Sequence, residues 1–563
     1  MKFSELPYSR PSIEEVQAAY DDILRRFETA ENADQQAALF LEHETLYKRF
    51  STLCAIAQVR HTINTTDAFY DAENSYFDEC GPLLQEKVQQ LYVAMLGSRF
   101  RPALEERFGA LLFENLAIAA RCFGPAIVAL SQEENQLASE YQKLYAAAIV
   151  EFDGKKLPLP KLSAYKTDPD RAVRRAAYEA EGRFFDAHRE ELDTLFDRLV
   201  KCRDAQAKAL GYDNYVAMGY DSLGRNCYTP ADVAAFREQI AADFVPVVCD
   251  IKERQRRRIG VDRLRLFDDV YYFPDGNARP EGSPDDILAA GRRMYEELSP
   301  ETAAFVEFLY DNELFDVLSR EGKAPGGYCT DLPDYQAPFI FSNFNGTSAD
   351  VDVLTHEAGH AFAAFRALRS VKLSELTSPT IEACEVHSMS MEFLTEPYHH
   401  LFFGGQTAKY ALGHCEDAAN FLPYGCMVDE FQTRVYENPG WTPEERNALW
   451  LSLEEKYRPY MNFDGLPFYS RGAGWQRQLH IYLYPLYYID YCMAQTVAFQ
   501  FWAAARRDRK DAWRRYLAFV DLAGTRTFAE LVRSAGLRVP YEPGCIREVG
   551  RNVADWIREH QLP

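Results

Sequence analysis

Long apolar runs are missing from this chain of 563 residues. None approaches the roughly 18 uncharged residues that a membrane-spanning helix needs. Basic charge is also short: 62 Lys and Arg face 85 Asp and Glu, a formal net charge of −23. Nucleic acid and anionic membranes bind basic surfaces, so neither is an expected partner. The 12 cysteines are scattered from Cys54 to Cys545, and no CxxC pair occurs. That argues against a disulfide framework and fits free thiols in a reducing cytosol. Met1 to Pro7 contain no apolar run behind Lys2, so no secretory signal is expected. Internal repeats and low-complexity segments are lacking too. These absences lead to the expectation of a soluble, cytoplasmic protein.

What is present is ordinary globular composition, 47% hydrophobic and 26% charged. The length allows two to four domains, or one composite body. Helical periodicity dominates. Ile13, Val16, Tyr20, Ile23, Leu24 and Phe27 recur at three- and four-residue steps behind Ser12, with Glu15 three residues on, which predicts a capping box opening an amphipathic helix. Similar patterns fill most of 34–146. Residues 148–158 read as a hairpin turning at Asp153-Gly154. Thr229-Pro230 predicts a helix start. Residues 326–349 read as strand material, and Pro338 places 339–345 on a sheet edge, because proline cannot donate to a ladder. Helices resume from Asp350. A helical N-terminal part, 1–200, and a catalytic part, 201–563, are the expected division.

The chemical signal is His356-Glu357-Ala358-Gly359-His360. Histidines at i and i+4 share one helical face, so both imidazoles can reach one metal ion. The glutamate between them can hold a water and take its proton. Gly359 costs the helix roughly 1 kcal/mol against alanine, but lets another backbone approach. A third ligand is sought in Pro379-Thr380-Ile381-Glu382-Ala383-Cys384-Glu385, where Ser378 and Pro379 look like a helix start. Glu382, Glu385 and Glu392 share a face among apolar residues, and a buried carboxylate needs a partner or a metal. Spacing alone leaves Glu382 and Glu385 both open.

The run Phe339-Ile340-Phe341-Ser342-Asn343-Phe344-Asn345-Gly346-Thr347, followed by His356-Glu357-Ala358-Gly359-His360 and Glu385, resembles the oligoendopeptidase F branch of the thimet oligopeptidase family of zinc metallopeptidases. The resemblance is at motif level, from about residue 326 to about residue 500. It implies His356, His360 and Glu385 as ligands of one zinc ion per chain, and so selects Glu385 over Glu382. It also places a second family glutamate at Glu392. With Asp352 and Glu382, Glu392 is a candidate for steadying the ligands.

A second matching segment runs from Gly472 to Tyr491. His480 corresponds to the family's substrate-contacting histidine, and Tyr488 and Tyr491 best fit its paired tyrosines. Tyr484 lies on the same predicted face. The spacing is one residue short of the thimet branch, so Tyr487 stays an alternative. Gly472 and Gly474 form either a flap or an ordinary turn. His387, His399, His400 and His414 have no ligand spacing and read as structural or surface groups; Asp429-Glu430 reads as a helix face.

By resemblance the fold is mainly α, a large two-lobed zinc-peptidase body with a deep channel and a small edge sheet beside the metal helix. The implied activity is endopeptidase hydrolysis of short unfolded peptides, with Glu357 as base and His480 and a tyrosine holding the oxyanion. The rivals are an exopeptidase, in which an arginine such as Arg471 would hold a peptide terminus, and a non-catalytic peptide-binding protein. A closed structural zinc site is a third, disfavoured because such sites usually have four protein ligands.

Overall fold

The computed structural model describes residues 1–324, 326–344 and 346–562. Asn345, within the motif run above, lies outside the described residues. Two compact units are each assembled from three stretches of chain. The first comprises Met1–Ala120, Arg279–Gly405 and Phe501–Leu537; the second comprises Arg121–Ala278, Gln406–Gln500 and Arg538–Pro563. Position 200, where the sequence suggested a division, lies inside the helix Arg189–Ala209.

The first unit opens with three long helices, α1 (Ile13–Thr29), α2 (Ala33–Ile63) and α3 (Ala68–Leu96). Ser12 caps α1 by accepting from the Glu15 amide at 3.2 Å, but only this half of the expected box is present: the Ser12 hydroxyl donates to Glu14 Oε2 at 2.9 Å. The predicted apolar stripe is buried except for the half-buried Leu24: Ile13, Val16, Tyr20, Ile23 and Phe27. Ile23 and Phe27 pack with Phe40 of α2 and Leu91 and Met95 of α3, and Ile13, Val16 and Tyr20 with Phe50 of α2 and Phe77 of α3. In the second unit, strands β1 (Ile149–Phe152) and β2 (Lys155–Pro158) form the expected hairpin. Asp153 and Gly154 both take positive φ, 52° and 68°, as a tight right-twisted hairpin requires.

A three-stranded sheet follows in the first unit, of β3 (Phe315–Leu318), β4 (Tyr328–Leu332) and β5 (Ala337–Phe344). Here the structure corrects an expectation. The strand order is β3-β5-β4, so the motif strand is central and not an edge. Pro338 is tolerated because β3 begins pairing only at Ile340, leaving Ala337–Phe339 flanked by β4 alone. The edges of the sheet are β3 and β4.

Helix α4 (Ser348–Ser370) carries the HExxH sequence and α5 (Ile381–Leu394) carries Glu385. Thr347 and Asp350 form a capping box for α4. Helix α5 starts later than predicted: its N-cap is Thr380, and Ser378 and Pro379 precede it. The two helices meet at Gly359, where a Cβ would lie 2.6 Å from Ser388 Cα and 2.8 Å from the His387 carbonyl oxygen. Only glycine permits that approach, which brings Glu385 toward the histidines.

The second unit is built around α6 (Thr407–Glu437) and α7 (Pro443–Tyr457), followed by the short α8 (Leu479–Leu483) and by α9 (Tyr488–Arg507), whose last turns run into the first unit. Phe431, Trp475, Phe196 and Tyr482 pack together in its core, with Trp475 stacked on Tyr482. Among the described residues no single helix is long and apolar enough to cross a membrane.

Candidate active site

The helical period sets the His356 and His360 rings side by side, with centroids 5.0 Å apart. One carboxylate oxygen serves both: Glu385 Oε2 lies 3.4 Å from His356 Nε2 and 3.6 Å from His360 Nε2. Charge-assisted hydrogen bonds are shorter, about 2.7–2.9 Å. Two donors about 2.0–2.1 Å from a tetrahedral zinc ion sit about 3.3–3.4 Å apart. The spacing and the donor set, two imidazoles and one carboxylate within 4.8 Å of one another, therefore fit a metal ion. Glu385 is buried and both imidazoles are partly exposed, so the open side of the group faces outward.

The electrostatics agree with this geometry. Burial pushes the Glu385 carboxyl up, yet the two imidazoles outweigh it and hold the group well below the usual carboxylate range. Burial lowers His356, but Glu385 and Glu392 more than compensate and raise it. Glu357, half-buried beside the triad, is pushed up by burial against the pull of both histidines. A carboxylate with raised proton affinity suits a general base.

Behind the triad, Glu392 Oε1 is 2.7 Å from His356 Nδ1, so it orients that ring with Nε2 toward Glu385. Glu382 is fully buried, and its Oε1 accepts from the Thr380 hydroxyl at 2.7 Å, which ties it to the start of α5. Asp352 stands half-buried one turn before His356. His387 is buried without a partner for Nε2, and burial pushes it down to about 3. Its backbone carbonyl accepts from the Tyr516 hydroxyl at 2.8 Å.

Two groups escaped sequence reasoning. Asp331, on β4, interacts electrostatically with His360, and burial pushes its carboxyl up to about 6 against that pull. Cys329, two residues before it, is pushed well above the usual thiol range by burial, with Asp331 and Glu357 adding to the effect. Period-2 spacing on a strand flanking the motif strand was the available signal.

In the second unit, His480 sits among four tyrosines, with ring centroids 5.8 Å from Tyr484, 6.2 Å from Tyr487, 5.0 Å from Tyr488 and 6.0 Å from Tyr491. The expected single helical face is broken. The chain leaves α8 at Tyr484, which is 51% exposed, and turns through Leu486 at φ 64° before α9 begins. Gln432 Oε1 accepts from the Leu486 amide at 2.7 Å, and Arg225 donates to its carbonyl at 2.6 Å. These bonds offset the roughly 1–2 kcal/mol that a left-handed leucine costs. Tyr488 and Tyr491 fall in the first turn of α9, three apart. The Tyr424 hydroxyl donates to Gln478 Oε1 at 2.8 Å, which turns the amide nitrogen toward His480 Nδ1 at 2.9 Å. Nδ1 then accepts, and Nε2 carries the hydrogen.

At Gly472 (φ 80°) a Cβ would lie 2.2 Å from the Asn447 carbonyl oxygen, so this glycine packs closely against α7. Asp429 and Glu430 are not a solvated face. Asp429 is buried against Arg237 at 2.5 Å, and Glu430 accepts from the Tyr457 hydroxyl at 2.6 Å. His399 is buried and His400 is exposed.

The chain's similarity to known proteins is extensive. Residues 3–123 match the peptidase M3 N-terminal domain, and residues 164–281 and 302–551 match peptidase family M3. A structure of PZ peptidase A with an inhibitor is 46% identical, with 99% of each chain covered and a TM-score of 0.94. A protein from Bacillus anthracis str. Ames, assigned as an oligoendopeptidase F, is 40% identical over 99% of this chain and 98% of that one, with a TM-score of 0.89. An oligoendopeptidase F from Enterococcus faecium shares the fold at 15% identity and a TM-score of 0.61, over 97% of this chain and 98% of its own. No curated protein sequence matches the chain. With the family matched over most of its length, and with a mostly helical fold bearing the HExxH helix, the chain belongs to peptidase family M3 and is a metalloendopeptidase.

Proposed function

We propose that the protein is a zinc-dependent endopeptidase that cuts internal bonds of short, unfolded oligopeptides, with His356, His360 and Glu385 holding one zinc ion per chain. The observation that carries this is the convergence of two imidazoles and one carboxylate from α4 and α5, with Glu357 beside them. Zinc bound there supplies Lewis acidity and lowers the pKa of a water.

The protein groups do the rest. Glu357 takes the proton of the attacking water and passes it to the leaving amine. Glu392 fixes the His356 ring and keeps Nε2 free for the ion. His480, with hydrogen on Nε2, and a tyrosine, Tyr488 or Tyr491, donate to the oxyanion. Burial holds the Tyr488 phenol well above its ordinary value, so it stays a donor. An extended substrate adds as a further strand to an edge of this sheet, where main-chain hydrogen bonds are indifferent to side chains. The relatives' names, PZ peptidase A and oligoendopeptidase F, support peptide substrates. The scattered cysteines, with no CxxC pair among them, support a reducing, cytoplasmic location.

Arg471, the group that an exopeptidase reading would use, is paired with Asp186 at 2.7 Å. The test is a set of oligopeptides blocked at both ends, incubated with and without chelator and read by mass spectrometry. Internal cleavage that chelator stops and zinc restores supports the proposal. Cleavage only of unblocked termini, or cleavage indifferent to chelator, overturns it.

A further inference from the structure

The connection between the two ligand-bearing helices, 371–380, holds the short turn Ser374–Leu376. It is gripped by the N-terminal helices. Leu373 and Leu376 are buried with Phe27, Phe40, Leu91 and Met95. Ser374 donates to Glu44 Oε2 twice, from its amide at 2.8 Å and its hydroxyl at 3.0 Å. Lys48 Nζ, 3.4 Å from the same oxygen, donates to the Lys372 carbonyl. Glu375 reaches back into α2 and α3, where its Oε1 accepts from His43 Nε2 at 3.1 Å and from the Tyr92 hydroxyl at 2.7 Å. The Tyr20 hydroxyl, 2.7 Å from His43 Nδ1, donates there and leaves Nε2–H for Glu375.

Two oxygens remain. Glu44 Oε1 and Glu375 Oε2 are buried and have no donor. Two ionised carboxylates buried side by side repel each other and forgo hydrogen bonds, whereas one proton between them satisfies both. His43, Glu44 and Glu375 also have the composition of a metal site. The geometry argues against that. His43 Nε2 is at hydrogen-bond distance from a Glu375 oxygen that Tyr92 already occupies, and it is 4.0 Å from Glu44 Oε1.

We propose that Glu44 and Glu375 share a single proton and, through it, act as positioning residues that set the spacing of the helices bearing His356, His360 and Glu385. The inference rests on the metal-site reading above. The titratable groups facing the pair are Tyr20 from α1, His43, Tyr47 and Lys48 from α2, and Tyr92 from α3. Lys48 is the cation that opposes protonation of Glu44. Burial pushes Glu44 up to about 8, with Glu375 adding to the effect. Burial also pushes Glu375 up, but His43 and Glu44 outweigh it and hold it at about 2. A raised carboxyl pKa means that the folded state holds a proton the unfolded chain has released. The stabilisation linked to Glu44 is therefore full below the ordinary carboxylate pKa, declines as pH rises, and is gone above about 8.

Glu44→Gln tests this, because its amide donates to Glu375 permanently while its oxygen still accepts from Ser374. Melting temperature and zinc affinity, the latter by chelator competition, are followed from about pH 6 to about pH 9 in wild type and variant. The expected result is that wild type loses melting temperature and severalfold zinc affinity relative to Glu44→Gln as pH rises. Parallel profiles overturn the proposal. So do two zinc ions per wild-type chain falling to one in the variant, since the cluster would then be a second metal site. Wild type that binds no zinc sinks the metal-site reading, while the melting curves still judge the shared proton. If Glu44→Gln does not fold, infrared spectra of the wild type decide: a protonated carboxyl band at neutral pH that disappears above about pH 8 supports the pair, and its absence overturns it.

Discussion

Glu392 Oε1 lies 2.7 Å from His356 Nδ1, on the side of the ring away from Glu385. An imidazole held this way presents Nε2 to an ion and gains basicity from the carboxylate behind it. Glu392→Gln keeps an acceptor but removes the charge. Zinc affinity is expected to fall about 10–100-fold, measured by chelator competition. Unchanged affinity would mean that the ring is fixed by something else.

Gly359→Ala sets two effects against each other. Helix propensity favours alanine by roughly 1 kcal/mol. The new Cβ, however, would lie 2.6 Å from Ser388 Cα, and backbone cannot yield as a side chain does. Overpacking of this kind costs typically about 1–3 kcal/mol, so net destabilisation is expected, with weakened zinc binding as α5 is pushed from α4. Chemical denaturation and metal titration check both; a stabilised variant contradicts the packing.

Gln478 holds His480 Nδ1 as an acceptor. Gln478→Met frees the ring to take either tautomer. Nitrogen NMR should show hydrogen mainly on Nε2 in wild type and a mixture in the variant. The turnover number is expected to fall with little change in KM, by less than the roughly 10²–10³ lost when an oxyanion donor is removed outright. A tautomer population identical in both proteins rejects the role given to Gln478.

Glu357→Gln keeps the shape of the side chain and removes the base. Zinc content should stay at one ion per chain while cleavage falls about 10²–10⁴-fold, read on the same preparation. Loss of zinc along with activity would show that Glu357 serves the ion and not the proton.

The local chemistry of the fold was legible wherever a residue's neighbours in space are also its neighbours in sequence. Ser12 and Glu15, Asp153-Gly154, and His356 with His360 all interact within a turn, and period and capping rules suffice for them. The rank of β5 in its sheet was not legible. Pro338 correctly marks a place with one flanking strand, but β3 joins two residues later. The break at Tyr484–Tyr487 depends on Gln432 and Arg225, distant in sequence, and no periodicity announces it. Choosing Glu385 over Glu382 needed the family resemblance, because both are buried on one helix and differ only in what faces them. The carboxyl pair of Glu44 and Glu375 is invisible in sequence for the same reason.

The central claim is tested most directly by the zinc content of Glu385→Ala set beside that of Glu382→Gln. Glu385→Ala should bind no zinc after dialysis, while Glu382→Gln retains one ion per chain. A Glu385→Ala protein that stays folded and keeps its zinc at wild-type affinity would contradict the account.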